Sequence, residues 1–219
     1  LEASSNLLSG EYEKVVELQP SNVEEVDPKL SESLAWAYFG QGNEIYYQAL
    51  TNTGADAERL YKQAIEKYIS ALKVNPQFHE ALNNWGLALS GWAKTKTGVE
   101  ADSLFQQAGE KYEAALKINP HYHVALGNWG AALFERAKTK TGVEADNLLQ
   151  QAREKSEAAL KIEPDFHEAL NNWGAALSGW ARTKTGVEAD SLFRQAAEKY
   201  EAALKIKPDF HLALSNWGN

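Results

Sequence analysis

Four histidines, His79, His123, His167 and His211, recur at intervals of 44 residues. Imidazole is the commonest metal ligand and the side chain that titrates nearest neutrality. One imidazole per unit puts neighbours about 10 Å apart, the spacing of packed helices, which is too far for one ion to hold two at ~2 Å. His121 stands beside His123, yet spacing brings no third ligand. The histidines therefore read as surface residues at helix starts. Glu100, Asp102 and Glu110 lie at helical spacing from lysines and read as a solvated outer face. No glycine-rich phosphate loop, nucleophile elbow or pair of catalytic acids stands out. The expectation is a protein that is not an enzyme, with no catalytic residue, no metal and no cofactor.

Asparagine repeats with the same period, at Asn84, Asn128, Asn172 and Asn216, and Asn83 and Asn171 precede two of these. Asparagine is a poor helix former, so its return at one helical position asks for a reason. An amide both donates and accepts, so it can pair with the backbone of an extended peptide whatever that peptide's sequence. Duplication alone, or amide bonds between repeats, would leave the same pattern.

The period is set by Trp85, Trp129, Trp173 and Trp217, each 44 residues from the next. Self-similarity at 20 to 50 residues signals stacked supersecondary units rather than one core that grows with length. Hydrophobic residues make up 44% of the 219 residues, too many for disorder. A net charge of −8 excludes nucleic acid as the main partner, since phosphate binding needs a basic footprint. No apolar run reaches the ~20 residues of a membrane span and no signal pattern opens the chain, so no membrane insertion is expected and the cytoplasm is the default location. The chain has neither cysteine nor methionine, even at residue 1, and Leu1 reads as other than the natural start.

Residues 1–18 read as an interrupted helix, 19–30 as a linker around Pro20 and Pro28, and 31–51 as an aromatic-rich helix. Apolar positions at helical spacing then mark second helices over 57–74, 101–118, 145–162 and 189–206, each stopping before a proline (Pro76, Pro120, Pro164, Pro208). A Trp-Gly helix follows each proline. The turn Thr-Lys-Thr-Gly-Val-Glu comes next, in which Gly98 can end one helix while Thr97 and Glu100 have capping-box spacing for the next. Leu82, Trp85, Leu89 and Trp92 form one apolar stripe, so the tryptophans read as core, and Gly86, Gly130 and Gly174 as points of close helix approach. No strand pattern occurs.

These residues resemble the tetratricopeptide repeat (TPR) family. Leu82-x2-Trp85-Gly86-x2-Leu89 matches its first helix, and Ala108-x3-Tyr112…Pro120 its second. Ala64, Tyr68, Pro76 and Ala196, Tyr200, Pro208 keep the second-helix spacing, whereas Ser156 replaces the aromatic in the third copy. The resemblance implies an all-α, right-handed superhelical solenoid of antiparallel helix pairs. Its expected units are a degenerate first repeat over 31–76, repeats over 77–120, 121–164 and 165–208, and a truncated first helix over 209–219. The family period is about 34 residues. The ten added here fall between the motif glycine and the second-helix alanine, and bring apolar Trp92, Ala93, Leu104 and Phe105. They are expected to lengthen both helices by about 7 Å each. The Trp-Gly signature with lengthened helices is also similar to the TPR receptor of plant mitochondrial import, although that receptor is membrane-anchored and nothing in this sequence anchors.

In TPR arrays the opposite face of the first helix lines a concave groove, and here that face holds Glu80, Asn84, Leu87, Gly91 and Lys94. The resemblance implies a peptide-binding face built from Asn84, Asn128, Asn172 and Asn216, with Asn83, Asn171, Leu87 and Lys94. It resembles the asparagine ladder in the TPR region of the O-linked N-acetylglucosamine transferases. A carboxylate clamp needs lysine or arginine where this chain has Glu80, Val124, Glu168 and Leu212, so that mode is not expected. The function read from the sequence is binding of an extended segment of a partner protein. A self-assembling scaffold and a targeting module of a larger protein are the alternatives. Trp217, with no second helix after it, is expected to bury against further chain or another copy, giving self-association through the C-terminal end.

Overall fold

The computed structural model describes residues 28–218. The helix expected over 1–18 and most of the linker lie outside the described residues. Nine helices and no strand occur among the described residues: α1 (Pro28–Thr51), α2 (Gly54–Val74), α3 (His79–Ala93), α4 (Gly98–Ile118), α5 (His123–Ala137), α6 (Gly142–Ile162), α7 (His167–Ala181), α8 (Gly186–Ile206) and α9 (His211–Trp217). The all-α solenoid of helix pairs is thus the architecture observed. Helix α1 begins at Pro28, three residues before the expected start, where proline's fixed φ suits a first turn.

The chain divides into two compact units, one ending at Lys96 and one beginning at Thr97. In the first, α1 pairs with α2, and α3 packs on both. Leu34, Ala35, Tyr38, Ala71, Phe78 and Ala81 form its core, with Phe39, Leu72 and Val74 against it. In the second, α5 pairs with α6 and α7 with α8, α4 packs on α5, and α9 rests on α8 and α7. One of its clusters joins Leu133, Leu148, Leu149 and Ala176 to Trp129, Phe134 and Trp180. Another joins Leu170, Leu177, Tyr200 and Phe210.

Each second helix starts three residues earlier than the apolar pattern suggested, at Gly54, Gly98, Gly142 and Gly186. These glycines hold φ near +60°, a region that costs an L side chain strain. Gly98 therefore opens its helix rather than ending the previous one, which stops at Ala93. Thr97 stands at the N-cap but makes no side-chain cap bond, so the expected threonine cap does not form. At the other end the residue before each proline is extended, as at Asn75 and Asn119, because proline's ring excludes the helical conformation there. The helices are unequal, 15 residues in α3 and 21 in α4, so the longer second helix takes more of the added chain than an even sharing gives. That chain is packed: Ala93, Leu104 and Phe105 are buried and Trp92 is half-buried.

Candidate partner-binding face

The first helices α1, α3, α5, α7 and α9 carry the residues assigned to a groove, and the structure fixes most of these amides within the fold. In the first unit Asn84 Nδ2 donates to Asn43 Oδ1 at 2.7 Å, and Tyr68 Oη donates to the same oxygen at 2.9 Å. Asn83, only 2% exposed, donates from Nδ2 to Asn84 Oδ1 at 2.9 Å. In the second unit Asn172 Nδ2 donates to the Gly127 carbonyl at 3.1 Å, and Asn216 Nδ2 to Asn171 Oδ1 at 2.9 Å. The Asn84–Asn43, Asn172–Gly127 and Asn216–Asn171 bonds each bridge one first helix to the preceding one. Asn83 and Asn171 are buried in the seam behind the face, whereas Asn84, Asn128, Asn172 and Asn216 are half-buried on it. Leu87 is half-buried, and Lys94 is exposed at the C-cap of α3.

Within each unit ion pairs also join neighbouring repeats, and sequence spacing missed them because the partners are 34 to 38 residues apart. Lys96 Nζ reaches Glu58 at 2.7 Å and Lys184 reaches Asp146 at 2.7 Å. Arg136 and Lys140 both hold Asp102, at 2.7 and 3.1 Å. Asp102 is thus a bridge between repeats rather than part of a solvated outer face. Hydrogen bonds from Lys62 and Lys96 bring the Glu58 carboxyl down to about 2, against an ordinary 4.5. The Arg136 bond lowers Asp102, and the Lys184 bond lowers Asp146.

The histidines divide: His121 and His211 are exposed, as expected, and the others are half-buried. His123 and His167 are half-buried and stand edge-on to Phe166 and Phe210, with ring centroids 5.0 and 4.8 Å apart. Among the described residues no group of three His, Asp or Glu is placed to hold a metal ion. Trp129 and Trp173 are half-buried, each roofed by a second-helix lysine: Lys155 Nζ lies 3.5 Å from one ring centroid and Lys199 3.9 Å from the other. The burial of Lys155 itself lowers its pKa. Gly130 and Gly174 are contact points, as expected. A Cβ on Gly174 would stand 2.6 Å from the Tyr200 ring, and one on Gly130 2.8 Å from Ser156 Oγ.

What remains open on the first helices is the stripe one turn apart. On α1 it is Trp36, Gly40, Asn43, Tyr47 and Leu50, with Trp36 44%, Tyr47 66% and Leu50 52% exposed. On α5 it is Val124, Asn128, Ala131, Glu135 and Lys138, and on α7 Glu168, Asn172, Gly179 and Arg182, with Ala175 buried between them. Sequence periodicity placed the stripe on α3 but did not single out the aromatic version on α1, although a shift of 44 residues from Glu80 and Gly91 lands on Trp36 and Tyr47.

A two-helix repeat with a Trp-Gly first helix, a tyrosine seated on the motif glycine and a proline after the second helix defines the chain as a TPR protein. Residues 99–214, more than half of the chain, match the plant specific mitochondrial import receptor subunit TOM20, and the chain belongs to that family. No curated protein matches the sequence. Among solved structures the fold is similar to that of YrrB, a TPR protein described as having an unusual peptide-binding site. There the TM-score is 0.56 at 20% identity, over 99% of this chain and 87% of that one. MamA is similar at a TM-score of 0.52 and 22% identity, over 89% of this chain and 87% of its own. MamA from Desulfovibrio magneticus RS-1 gives 0.53 at 16%, over 83% and 82%. No helix among the described residues is long and apolar enough to cross a membrane.

Proposed function

We propose that the chain is a protein-interaction module that binds an extended segment of a partner along the stripe of its first helices. The units of that array are residues 31–76, 77–120, 121–164, 165–208 and 209–219. One observation carries the reading: neighbouring helices leave most of the stripe at least partly open on α1, α3, α5 and α7, with Ala175 the buried exception on α7, down to the exposed Lys94, Lys138 and Arg182. Outer positions on globular helices are ordinarily charged, yet this stripe holds Leu87, Gly91, Ala131 and Gly179. Small and apolar residues let a ligand's backbone approach closely. Asn128 and Asn172 flank that path, and an amide keeps spare hydrogen-bonding capacity after one bond is made. The receptor role in the family's description and the peptide-binding site attributed to YrrB are both binding roles of this kind.

Panning a display library of random 12-residue peptides against the protein tests the reading. The enriched peptides should bind one to one. Leu87→Glu and Ala131→Glu should each weaken them at least tenfold while the melting temperature holds. Peptides that bind both variants as well as the parent would place the site elsewhere.

Self-association is a second reading with its own observation. Phe193, Leu214 and Trp217 are exposed, whereas their counterparts Leu149, Leu170 and Trp173 are buried or half-buried. Sedimentation velocity over a concentration series should then show a growing coefficient that Trp217→Ala abolishes. A constant coefficient removes this reading.

A further inference from the structure

The stripe on α1 differs in chemistry from its copies, and its donors and rings point to one class of occupant. We infer that Trp36, Asn43 and Tyr47 form a site for a proline-rich segment in the polyproline II conformation, which narrows the extended-segment reading and rests on it. Trp36 is fixed edge-on against Phe39 and Phe78, with centroids 5.5 and 4.6 Å away, and still shows 44% of its surface. Tyr47 leans on Tyr46 at 5.7 Å and is 66% exposed. Two held aromatic surfaces on one helix face are what the pyrrolidine rings of such segments dock against.

Hydrogen-bond polarity points the same way. Asn43 spends its Oδ1 on two donors from inside the fold, Tyr68 Oη and Asn84 Nδ2, which turns its Nδ2 hydrogens to the other side. The indole N–H of Trp36 and the hydroxyl of Tyr47 add further donors. A polyproline II segment has its carbonyls unpaired and, at each proline, no N–H to give, so it fits a face rich in donors. An ordinary extended strand would bring amide hydrogens that need acceptors. The spacing also agrees. Trp36 and Tyr47 are eleven residues apart on α1, about 16 Å at ~1.5 Å per residue, which is roughly five residues of polyproline II at ~3.1 Å each. The second unit has no such pair, since Glu168 and Gly179 stand at the matching positions of α7.

The test is a fluorescence-anisotropy titration of a labelled ten-proline peptide against the 219-residue protein, with a glycine–serine peptide of equal length as control. The expected result is saturable binding to the proline peptide alone, weakened tenfold or more by Tyr47→Ala and by Trp36→Ala, and unchanged by Glu198→Ala, at an exposed second-helix side chain. Trp36 also touches Phe78, so its variant can lose stability. Tyr47→Ala, at a mostly exposed side chain, should keep the parental melting temperature and separates binding from folding. Equal affinity for both peptides, or proline binding that survives Tyr47→Ala, overturns the inference. If the proline peptide fails while the panned peptides bind and depend on Leu87 and Ala131, this inference falls and the broader function stands. If neither binds, both fall.

Discussion

On α1 the open stripe carries Trp36, Tyr47 and Leu50, whereas the matching positions of α7 are Glu168, Gly179 and Arg182. The first copy has drifted furthest from the repeat pattern, and its stripe is the one that carries exposed Trp36 and Tyr47. Binding energy in protein interfaces concentrates in a few aromatic and arginine anchors. The contrast sets an aromatic stripe on α1 against a charged, glycine-bearing one on α7. It also shows what constrains each copy. The seam between helices varies little, while the stripe facing outward varies widely.

The seam differs as well, and variants there sharpen the comparison. Tyr68 is fully buried and also donates to Asn43, so Tyr68→Ala in the first unit should cost about 3–5 kcal/mol, the usual loss for a large buried ring. A urea melt that shifts by less than half of that would show the space collapsing. Ser156 holds the same position in the second unit, fully buried, with Oγ donating to the Ala152 carbonyl at 3.0 Å. The sequence alone suggests a hole that a tyrosine would fill. In the structure the helices have closed on the serine, since a Cβ on Gly130 would already stand 2.8 Å from Oγ and 3.1 Å from the Ala152 carbonyl. Ser156→Tyr should therefore overpack the seam and lower stability by about 1–3 kcal/mol. A higher melting temperature would mean the slot is still open.

Smaller effects separate the asparagines. Asn84→Ala strips the buried Asn83 amide of its acceptor, a penalty of about 1–3 kcal/mol. Asn172→Ala removes a 3.1 Å bond to the Gly127 carbonyl and a 3.4 Å bond from the buried Asn171 amide; both are longer than their first-unit counterparts, so the loss should be smaller, about 1 kcal/mol. Equal losses in thermal melts would contradict this difference between the units. The smallest effect is in pH. Glu58 ionises more readily folded than unfolded, so its stabilisation is complete above its usual 4.5 and drains as pH falls toward about 2. Glu58→Gln should flatten the acid limb of a stability–pH curve, and an unchanged limb would show that the Lys62 and Lys96 contacts contribute nothing.

Much of the fold is legible in the sequence because local rules agree. Pro76, Pro120, Pro164 and Pro208 end the second helices, and the Ala and Tyr positions of those helices pack inward as their spacing implies. Helix starts were misplaced because Gly54 and its copies favour αL without needing a threonine cap. The site was less legible. Asparagine's amide serves a ligand backbone and a neighbouring helix equally well, and only geometry shows Asn84 and Asn172 reaching across to Asn43 and Gly127. The Arg136–Asp102 pair spans 34 residues, beyond any helical-spacing rule.

The binding face itself is best tested by amide chemical-shift mapping with a panned peptide on the 15N-labelled protein. Binding along the first helices should move the backbone signals of Leu87 and Ala131, the side-chain amide of Asn172 and the Trp36 indole N–H, and leave exposed second-helix residues such as Glu110 and Glu198 in place. Shifts confined to α4, α6 and α8, with those four signals unmoved, would contradict it.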